Sequence, residues 1–312
     1  MNPETQKPVV TVCILLYNKV KYLRDALDSV LEQEADFPWN IMISDDCSTD
    51  GSREIAQEYA AKYPDKIELV IQEKNKGVGG NSLDLFKRPI SKYVAYLDPD
   101  DIFTDKKKLQ KQVDFLEKHP QYAMVYGKST LMDEEGKPLP LRKWPKYRSG
   151  KIFKEVILFK YLPQFSSALV RTVALQDTLR FPDNPGTDFF FMARITHDNL
   201  VYFMDEFFFC YRKNQHSITV TSFDHMFHTQ TPPALRHFQE LYPRLMKKAN
   251  RRAHTYRASV MAERNPGIPT FFRLIKHMEL SSWYFRQLAK CGIRMFMKPF
   301  KRNRLPVANA GG

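Results

Sequence analysis

The four cysteines of this 312-residue chain form no framework. Cys13, Cys47, Cys210 and Cys291 are scattered, with no C-x-x-C pair, which argues against a disulfide scaffold or a structural zinc site and for reduced, buried thiols. Long apolar runs are missing as well. The most apolar early stretch, Val9 to Tyr17, falls far short of the ~20 residues that span a bilayer, and no later stretch reaches that length. Met1 to Pro8 is polar and lacks the basic start and apolar run of a signal peptide. The expectation is a cytoplasmic protein without a membrane span. Internal repeats and low-complexity segments are absent too. At 43% hydrophobic and 27% charged residues, the chain is an ordinary globular one, long enough for one large core or a core with a smaller appendage.

Acidic residues run short only near the C-terminus. Residues 231–312 hold 17 Lys and Arg against Glu240, Glu263 and Glu279, whereas residues 1–230 hold 31 bases and 32 acids. The net charge of +13 therefore belongs to the tail. A nucleic-acid reading drawn from the overall charge does not apply to the first 230 residues.

Val9 to Leu16 is a continuous, β-branched-rich run, as for a strand buried on both faces. Leu23, Ala26, Leu27, Val30 and Leu31 follow at helical spacing within 20–34. Further strands are expected at 41–44, 67–71 and 93–97. Further helices are expected at 52–63, stopping before Pro64, at 81–87 and at 106–119. This alternation predicts a mainly parallel, doubly wound α/β sheet. After Tyr126 it breaks into hairpin-like and irregular pieces, and beyond about residue 230 the chain reads as helical.

In open α/β sheets, ligands bind beyond the carboxyl ends of the strands. Here the first strand ends on Tyr17-Asn18, the second on Asp45-Asp46, and the fourth on Asp98-Pro99-Asp100-Asp101. One rim thus receives an aromatic ring and up to five carboxylates. Each Asp taken singly is explained as a cap or turn former. Three strand ends together point to a cation, and hard oxygen ligands suit Mg²⁺ or Mn²⁺.

The ordered set Val9–Asn18, Asp45-Asp46-Cys47-Ser48-Thr49-Asp50-Gly51, Asn75-Lys76-Gly77-Val78-Gly79-Gly80-Asn81 and Tyr96-Leu97-Asp98-Pro99-Asp100-Asp101 resembles glycosyltransferase family 2, with its GT-A fold. The resemblance is strong over 9–118, thinner over 119–220, and does not extend through 221–312. It implies a metal-dependent, inverting transfer of a sugar from a nucleotide-diphosphate donor, expected to be UDP-linked, to an acceptor hydroxyl. By the same resemblance Tyr17, Asn18 and Asp46 bind the nucleotide, with Asp46 accepting from a ring N–H. Asp98 lies near the ribose and Asp100 on the metal-bridged diphosphate. Pro185-Gly186-Thr187-Asp188 and the apolar run after it resemble the segment whose Asp deprotonates the acceptor, which makes Asp188 the base, although Thr187 stands where the family has Glu. An aromatic-rich pocket there would raise its pKa towards that of a general base. The other reading makes Asp188 the cap of a helix over 189–195. Tyr211-Arg212-Lys213-Asn214-Gln215-His216-Ser217 resembles a further family segment, with Asn214 in place of the usual His and His216 two residues on. Arg212 either faces the diphosphate or forms a surface salt bridge.

The expected organisation is a catalytic domain over 1–225 and a basic helical extension over 226–312. Within 283–304, Trp283, Phe296 and Phe300 mix with Arg286, Lys290, Lys298 and Arg302. That mixture suits a helix on an anionic membrane, peripheral on the inner face of the cell membrane, or equally a helix packed on the catalytic domain. No nucleic-acid module is recognisable. The acceptor expected by analogy is a glycan or lipid-linked glycan of the cell surface. Two rival classes remain. A sugar-phosphate nucleotidyltransferase should carry a Gly-rich basic signature after the first strand, which Tyr17-Asn18-Lys19-Val20 does not supply. A non-catalytic nucleotide-sugar binding protein has no need of Asp188.

Overall fold

The structure is a computed structural model that describes residues 7–140, 149–158, 163–181, 184–214 and 238–249. The chain divides into two compact units, Met1–His237 and Phe238–Gly312. The second contributes one described helix, over 243–249. The expected boundary at 225/226 and the mixed aromatic and basic stretch at 283–304 lie outside the described residues. No helix among the described residues is long and apolar enough to cross a membrane.

The first unit is a mixed α/β fold built on one eight-stranded sheet. Strand β1 (Val10–Leu16) is buried along nearly its whole length, as its unbroken apolar run requires. Helix α1 (Leu23–Leu31) turns Leu23, Ala26, Leu27 and Val30 into the core. Strand β2 (Trp39–Asp45), helix α2 (Ser52–Lys62), strand β3 (Ile67–Ile71), helix α3 (Gly77–Leu85) and strand β4 (Tyr93–Tyr96) complete the parallel half. Its register sets Asp45 beside Leu16 and Tyr96 beside Cys13. The carboxyl ends of β1, β2 and β4 therefore open on the same rim.

The second half differs from the sequence expectation. In place of irregular pieces, strand β6 (Tyr122–Met132) runs for 11 residues and strand β8 (Leu200–Arg212) for 13. They pair in parallel across three register shifts. Strand β7 (Leu169–Arg171) joins β6 to β4, antiparallel to both. Strand β5 (Ile102–Phe103) pairs antiparallel with β8 at the far edge, giving the order β3-β2-β1-β4-β7-β6-β8-β5. The sheet is thus parallel in its first four strands and mixed beyond. Helices α4 (Lys108–Lys118), α5 (Phe153–Ile157), α6 (Thr172–Thr178) and α7 (Asp188–Asp198) complete the unit. Helix α3 begins four residues before its expected start at residue 81. Asn75 accepts from the Gly77 N–H at 3.0 Å and so organises the glycine-rich loop into a helical turn.

Cys13 and Cys210 are buried thiols. A less expected polar group in the core is Lys108, which is 0% exposed. Its ammonium lies 4.4 Å from the centre of the Phe103 ring and donates to Gln112 Oε1 at 2.8 Å and to the Ala168 carbonyl at 3.3 Å. Burial pulls its pKa down to about 7. Between that value and the unfolded one, the folded chain binds fewer protons than the unfolded chain, so stability rises with pH across the interval. Denaturation midpoints of the wild type and Lys108→Met, compared from about pH 7 to about pH 10, should diverge in favour of the wild type by at least about 1 kcal/mol. A difference independent of pH would refute a neutral buried amine.

Candidate active site

The rim is laced together largely by backbone groups. Beyond β1 the chain turns through Asn18, whose φ of 49° lies in the left-handed region that Asn tolerates. Asn18 N–H donates to Ser48 Oγ at 3.0 Å, and Asn18 Oδ1 accepts from the Thr49 N–H at 2.8 Å. The next two amides continue the seam: Lys19 N–H reaches Ser52 Oγ at 2.7 Å and Val20 N–H reaches Asp50 Oδ2 at 2.9 Å. Tyr17, at the tip of the turn, is left 48% exposed, which is unusual for a ring so close to the core.

Asp45 and Asp46 part company at the end of β2. Asp45 is fully buried and its carboxylate pairs with Arg53 at 2.7 Å, which makes it a structural brace. Asp46 turns towards the glycine-rich loop, where one carboxylate oxygen accepts from the Lys76 N–H at 2.7 Å. Asn75 Nδ2 donates to the Asp46 carbonyl at 2.9 Å, and Asn81 Nδ2 to the Ser44 carbonyl at 3.0 Å. The two asparagines of the loop therefore grip the end of β2.

At the end of β4, Tyr96 Oη donates to Asp98 at 2.6 Å. Burial first, and then the neighbouring Asp100, push the Asp98 carboxyl up to about 7 despite that hydrogen bond. Asp101 is 1% exposed. One of its oxygens accepts from the Arg212 N–H at 2.9 Å, while the other, Oδ2, is buried with no hydrogen-bond partner among the described residues. Its pKa is raised well above the usual carboxylate range by burial, Asp98 and Asp100. Asp100 meets the Lys19 ammonium at 2.6 Å and Asn214 Nδ2 at 2.8 Å. Asn214 Oδ1 is a second buried acceptor without a partner among the described residues.

Pairing of β5 with β8 brings Arg212 to this loop. Its guanidinium donates to the Asp100 carbonyl at 3.0 Å, the Glu134 carbonyl at 3.2 Å and the Asp25 carboxylate at 3.0 Å. It also lies 4.9 Å from the centre of the Tyr22 ring. With 4% exposed and each guanidinium nitrogen engaged, Arg212 clamps the acidic loop from behind. His216 lies outside the described residues.

Asp188 opens α7, behind the N-cap Thr187. Its carboxylate accepts from the Phe189 N–H at 2.6 Å. The residue is exposed, yet the surrounding protein desolvates the carboxylate enough to raise its pKa against that hydrogen bond. The Asp188 charge also bears on Asp98 and Tyr96, which places all three in one electrostatic neighbourhood. Beneath them Phe86, Tyr96, Phe165 and Phe191 pack as an aromatic floor, with Tyr96 and Phe165 stacked at 5.2 Å.

The sequence reading gave no role to the contact that seats Asp188. A Cβ on Gly79 would lie 2.3 Å from the Pro185 carbonyl oxygen, and one on Gly186 would lie 2.1 Å from the Gly79 carbonyl oxygen. The first turn of α3 and the Pro185-Gly186 loop cross backbone on backbone, and Ser82 Oγ clasps the Gly186 carbonyl at 2.6 Å. Lys19 and Ser166 were missed as well. Ser166 Oγ lies 3.4 Å from the Asp98 amide nitrogen and 3.5 Å from the Asp98 carboxylate. Ser166 reaches the rim through tertiary packing, and Lys19, although next to Asn18, gains its partner only when the Asp100 loop folds against it.

No three His, Cys, Asp or Glu side chains form a ready-made metal cluster among the described residues. Asp98 and Asp100, with the unpartnered Asp101 Oδ2 and Asn214 Oδ1, instead fit a hard cation that completes its shell with ligand oxygens. Mg²⁺ bound between one or two carboxylates and substrate phosphates has this character. Two surface hollows of about 550 and about 620 Å³ lie elsewhere, lined by such residues as Ile90 and Gln176 or Trp39 and Lys66. Neither includes a residue of the acidic rim.

The family model described as Glycosyl transferase family 2 matches residues 11–177, a stretch that ends before Asp188. Among curated proteins, the chain is 35% identical over 127 residues to the uncharacterized protein Rv1520 of Mycobacterium tuberculosis, covering 41% of this chain and 37% of that one. It is 38% identical over 133 residues to TuaG of Bacillus subtilis, provisionally named a teichuronic acid biosynthesis glycosyltransferase, covering 43% of this chain and 51% of that one. The matches thus span about half or less of these relatives. Among solved structures, S. aureus TarS aligns with a TM-score of 0.56 at 15% identity, covering 94% of this chain and 54% of TarS. The mannosyltransferase PcManGT of Pyrobaculum calidifontis, in complex with GDP-Man and Mn²⁺, aligns with a TM-score of 0.55 at 16% identity, covering 94% and 89%. At these identities the likeness concerns the fold, which is that of GT-A glycosyltransferases.

The loop crossing is testable by stability alone. Gly186→Ala adds a clash to the strain of a positive φ of 68°, whereas Gly77→Ala, at a φ of 69° with nothing within 4 Å, adds strain only. In urea denaturation Gly186→Ala should lose about 1–3 kcal/mol more than Gly77→Ala. Equal losses would show that the backbones need not touch.

Proposed function

The chain belongs to glycosyl transferase family 2, and from that membership we propose that it is an inverting glycosyltransferase using a nucleotide-diphosphate sugar and a divalent metal. The observation that carries the proposal is the gathering of Asp98, Asp100, Asp101 and Asp188 around one rim, with two buried oxygen acceptors that have no partner among the described residues. A folded protein retains such mutually repelling groups where a ligand supplies the missing positive charge.

In this reading Tyr17 presents its exposed ring face to the nucleotide base. Asn18 fixes the turn that holds Tyr17, and Asp46 offers a carboxylate oxygen to a ring N–H of the base. Asp98 faces the ribose and Asp100 the diphosphate, while Arg212 holds the acidic loop against β8. A bound Mg²⁺ or Mn²⁺ would supply Lewis-acid neutralisation of the departing nucleoside diphosphate. Asp188 takes the proton of the acceptor hydroxyl as the acceptor oxygen bonds to the anomeric carbon. The bond from that carbon to the diphosphate oxygen breaks on the opposite face, so the configuration inverts. The raised pKa of Asp188 brings a weak carboxylate base closer to neutrality.

A UDP-linked sugar is the expected donor and a cell-surface glycan, free or lipid-linked, the expected acceptor. The name of TuaG lends support to the acceptor class, and the bound UDP-GlcNAc of a TarS structure to the donor class. An anionic membrane surface remains a proposed partner of the tail, on sequence grounds alone.

Asp188→Asn tests the base. Turnover should fall by ~10²–10⁴-fold, the usual contribution of general base catalysis, while affinity for UDP- or GDP-sugars stays unchanged in calorimetry. Collapse of donor affinity with turnover intact would move Asp188 to the donor site. Asp100→Asn should abolish both transfer and metal-dependent donor binding. Activity that survives this substitution in EDTA would end the metal-dependent reading.

A further inference from the structure

Four carboxylates converge on the rim, and one ammonium among the described residues makes direct contact with them. Lys19 Nζ lies 2.6 Å from Asp100 Oδ2, with the two side chains 19% and 13% exposed. The Lys19 charge also acts on Asp98 and Asp101, lowering the pKa of each against their mutual repulsion. Arg212, the other nearby cation, points its guanidinium at Asp25 and two carbonyls instead. Lys19 itself is held at the root. Its N–H donates to Ser52 Oγ at 2.7 Å, and its carbonyl accepts from the N–H groups of Tyr22 and Leu23 at 3.0 Å each. The backbone is therefore fixed at the entry to α1, while the side chain reaches its partner through a flexible four-carbon stem.

We propose that Lys19 is a resident counter-ion that exchanges its place. Its ammonium neutralises Asp100 while the site is empty, and it passes to the diphosphate oxygens of the donor when a divalent cation takes over that carboxylate. The inference rests on the donor and metal reading above and adds a cationic ligand for the nucleotide that the sequence motifs did not indicate. The physical reason is electrostatic. Asp100 Oδ2 already accepts from Lys19 and Asn214, so a cation approaching that oxygen must displace the ammonium. Once displaced, the ammonium stays tethered beside the rim, where the diphosphate offers it a strong anionic acceptor. Phosphate oxygens bind a lysine ammonium as a point charge.

The experiment uses the full chain and two variants, Lys19→Met and Lys19→Arg. Mn²⁺ binding without nucleotide is followed by the loss of the free-ion electron paramagnetic resonance signal. UDP and GDP binding at saturating Mn²⁺ is followed by calorimetry. Removal of the competing charge in Lys19→Met should tighten Mn²⁺ binding about tenfold and weaken nucleoside diphosphate binding at saturating Mn²⁺ by a similar factor. Lys19→Arg, which retains the charge, should stay within about threefold of the wild type in both measurements. A lysine that only braces the loop predicts a lower melting temperature for Lys19→Met with both affinities unchanged, and that result overturns the exchange. Weaker Mn²⁺ binding in Lys19→Met overturns it too. Mn²⁺ that binds none of the three proteins, with or without nucleotide, overturns the metal reading and the exchange together. Equal Mn²⁺ binding by all three overturns the exchange alone.

Discussion

Like-charge repulsion at the end of β4 is the constraint around which the rest of the site is arranged. Asp98, Asp100 and Asp101 leave a buried strand within four residues, and Asp98 and Asp101 are driven towards their neutral forms by lost hydration and by their acidic neighbours. The fold counters this with position more than with charge. Tyr96 and Ser166 reach Asp98, the Arg212 amide reaches Asp101, and Lys19 with Asn214 reaches Asp100. These groups come from four separate stretches of the chain, which is why the acidic loop needs the complete sheet as its support.

The asymmetry of the sheet follows from that need. Its parallel half, β3-β2-β1-β4, delivers Tyr17, Asp46 and Asp98 to the rim. The mixed half returns to the same rim from the far edge, and its β8 seats β5 and the acidic loop together. Arg212 shows how a cation at a polyanionic site can act as architecture. Its guanidinium braces the Asp100 and Glu134 carbonyls, whereas the smaller ammonium of Lys19 pairs with the Asp100 carboxylate itself.

Legibility in the sequence divides along the same line. β1, α1, α2, β3, β4 and α4 could be read from apolar spacing because each buries one local face, and their ends were off by a few residues where caps decide. Tyr17, Asp46, Asp98 and Asp100 could be listed because strand ends in a parallel sheet share a rim. β6 and β8 could not be read. Their pairing is non-local, and bulges interrupt the two-residue alternation on which a strand reading depends. Gly79 and Gly186 were visible as glycines and not as a contact, because closeness between segments a hundred residues apart leaves no trace in either one. Lys19 was likewise just one of many lysines until Asp100 lay across from it.

The antiparallel closure of β5 on β8 also orders how the site is made. Phe103 finds Phe209, and Gly79 finds Gly186, only after more than a hundred intervening residues have been synthesised. The parallel half has its partners at hand much earlier. Contacts so distant in sequence must first overcome the entropy of closing a long loop. The acidic loop is thus tied down by a strand far along the chain, and its contacts with β8 can form only after that strand has been made.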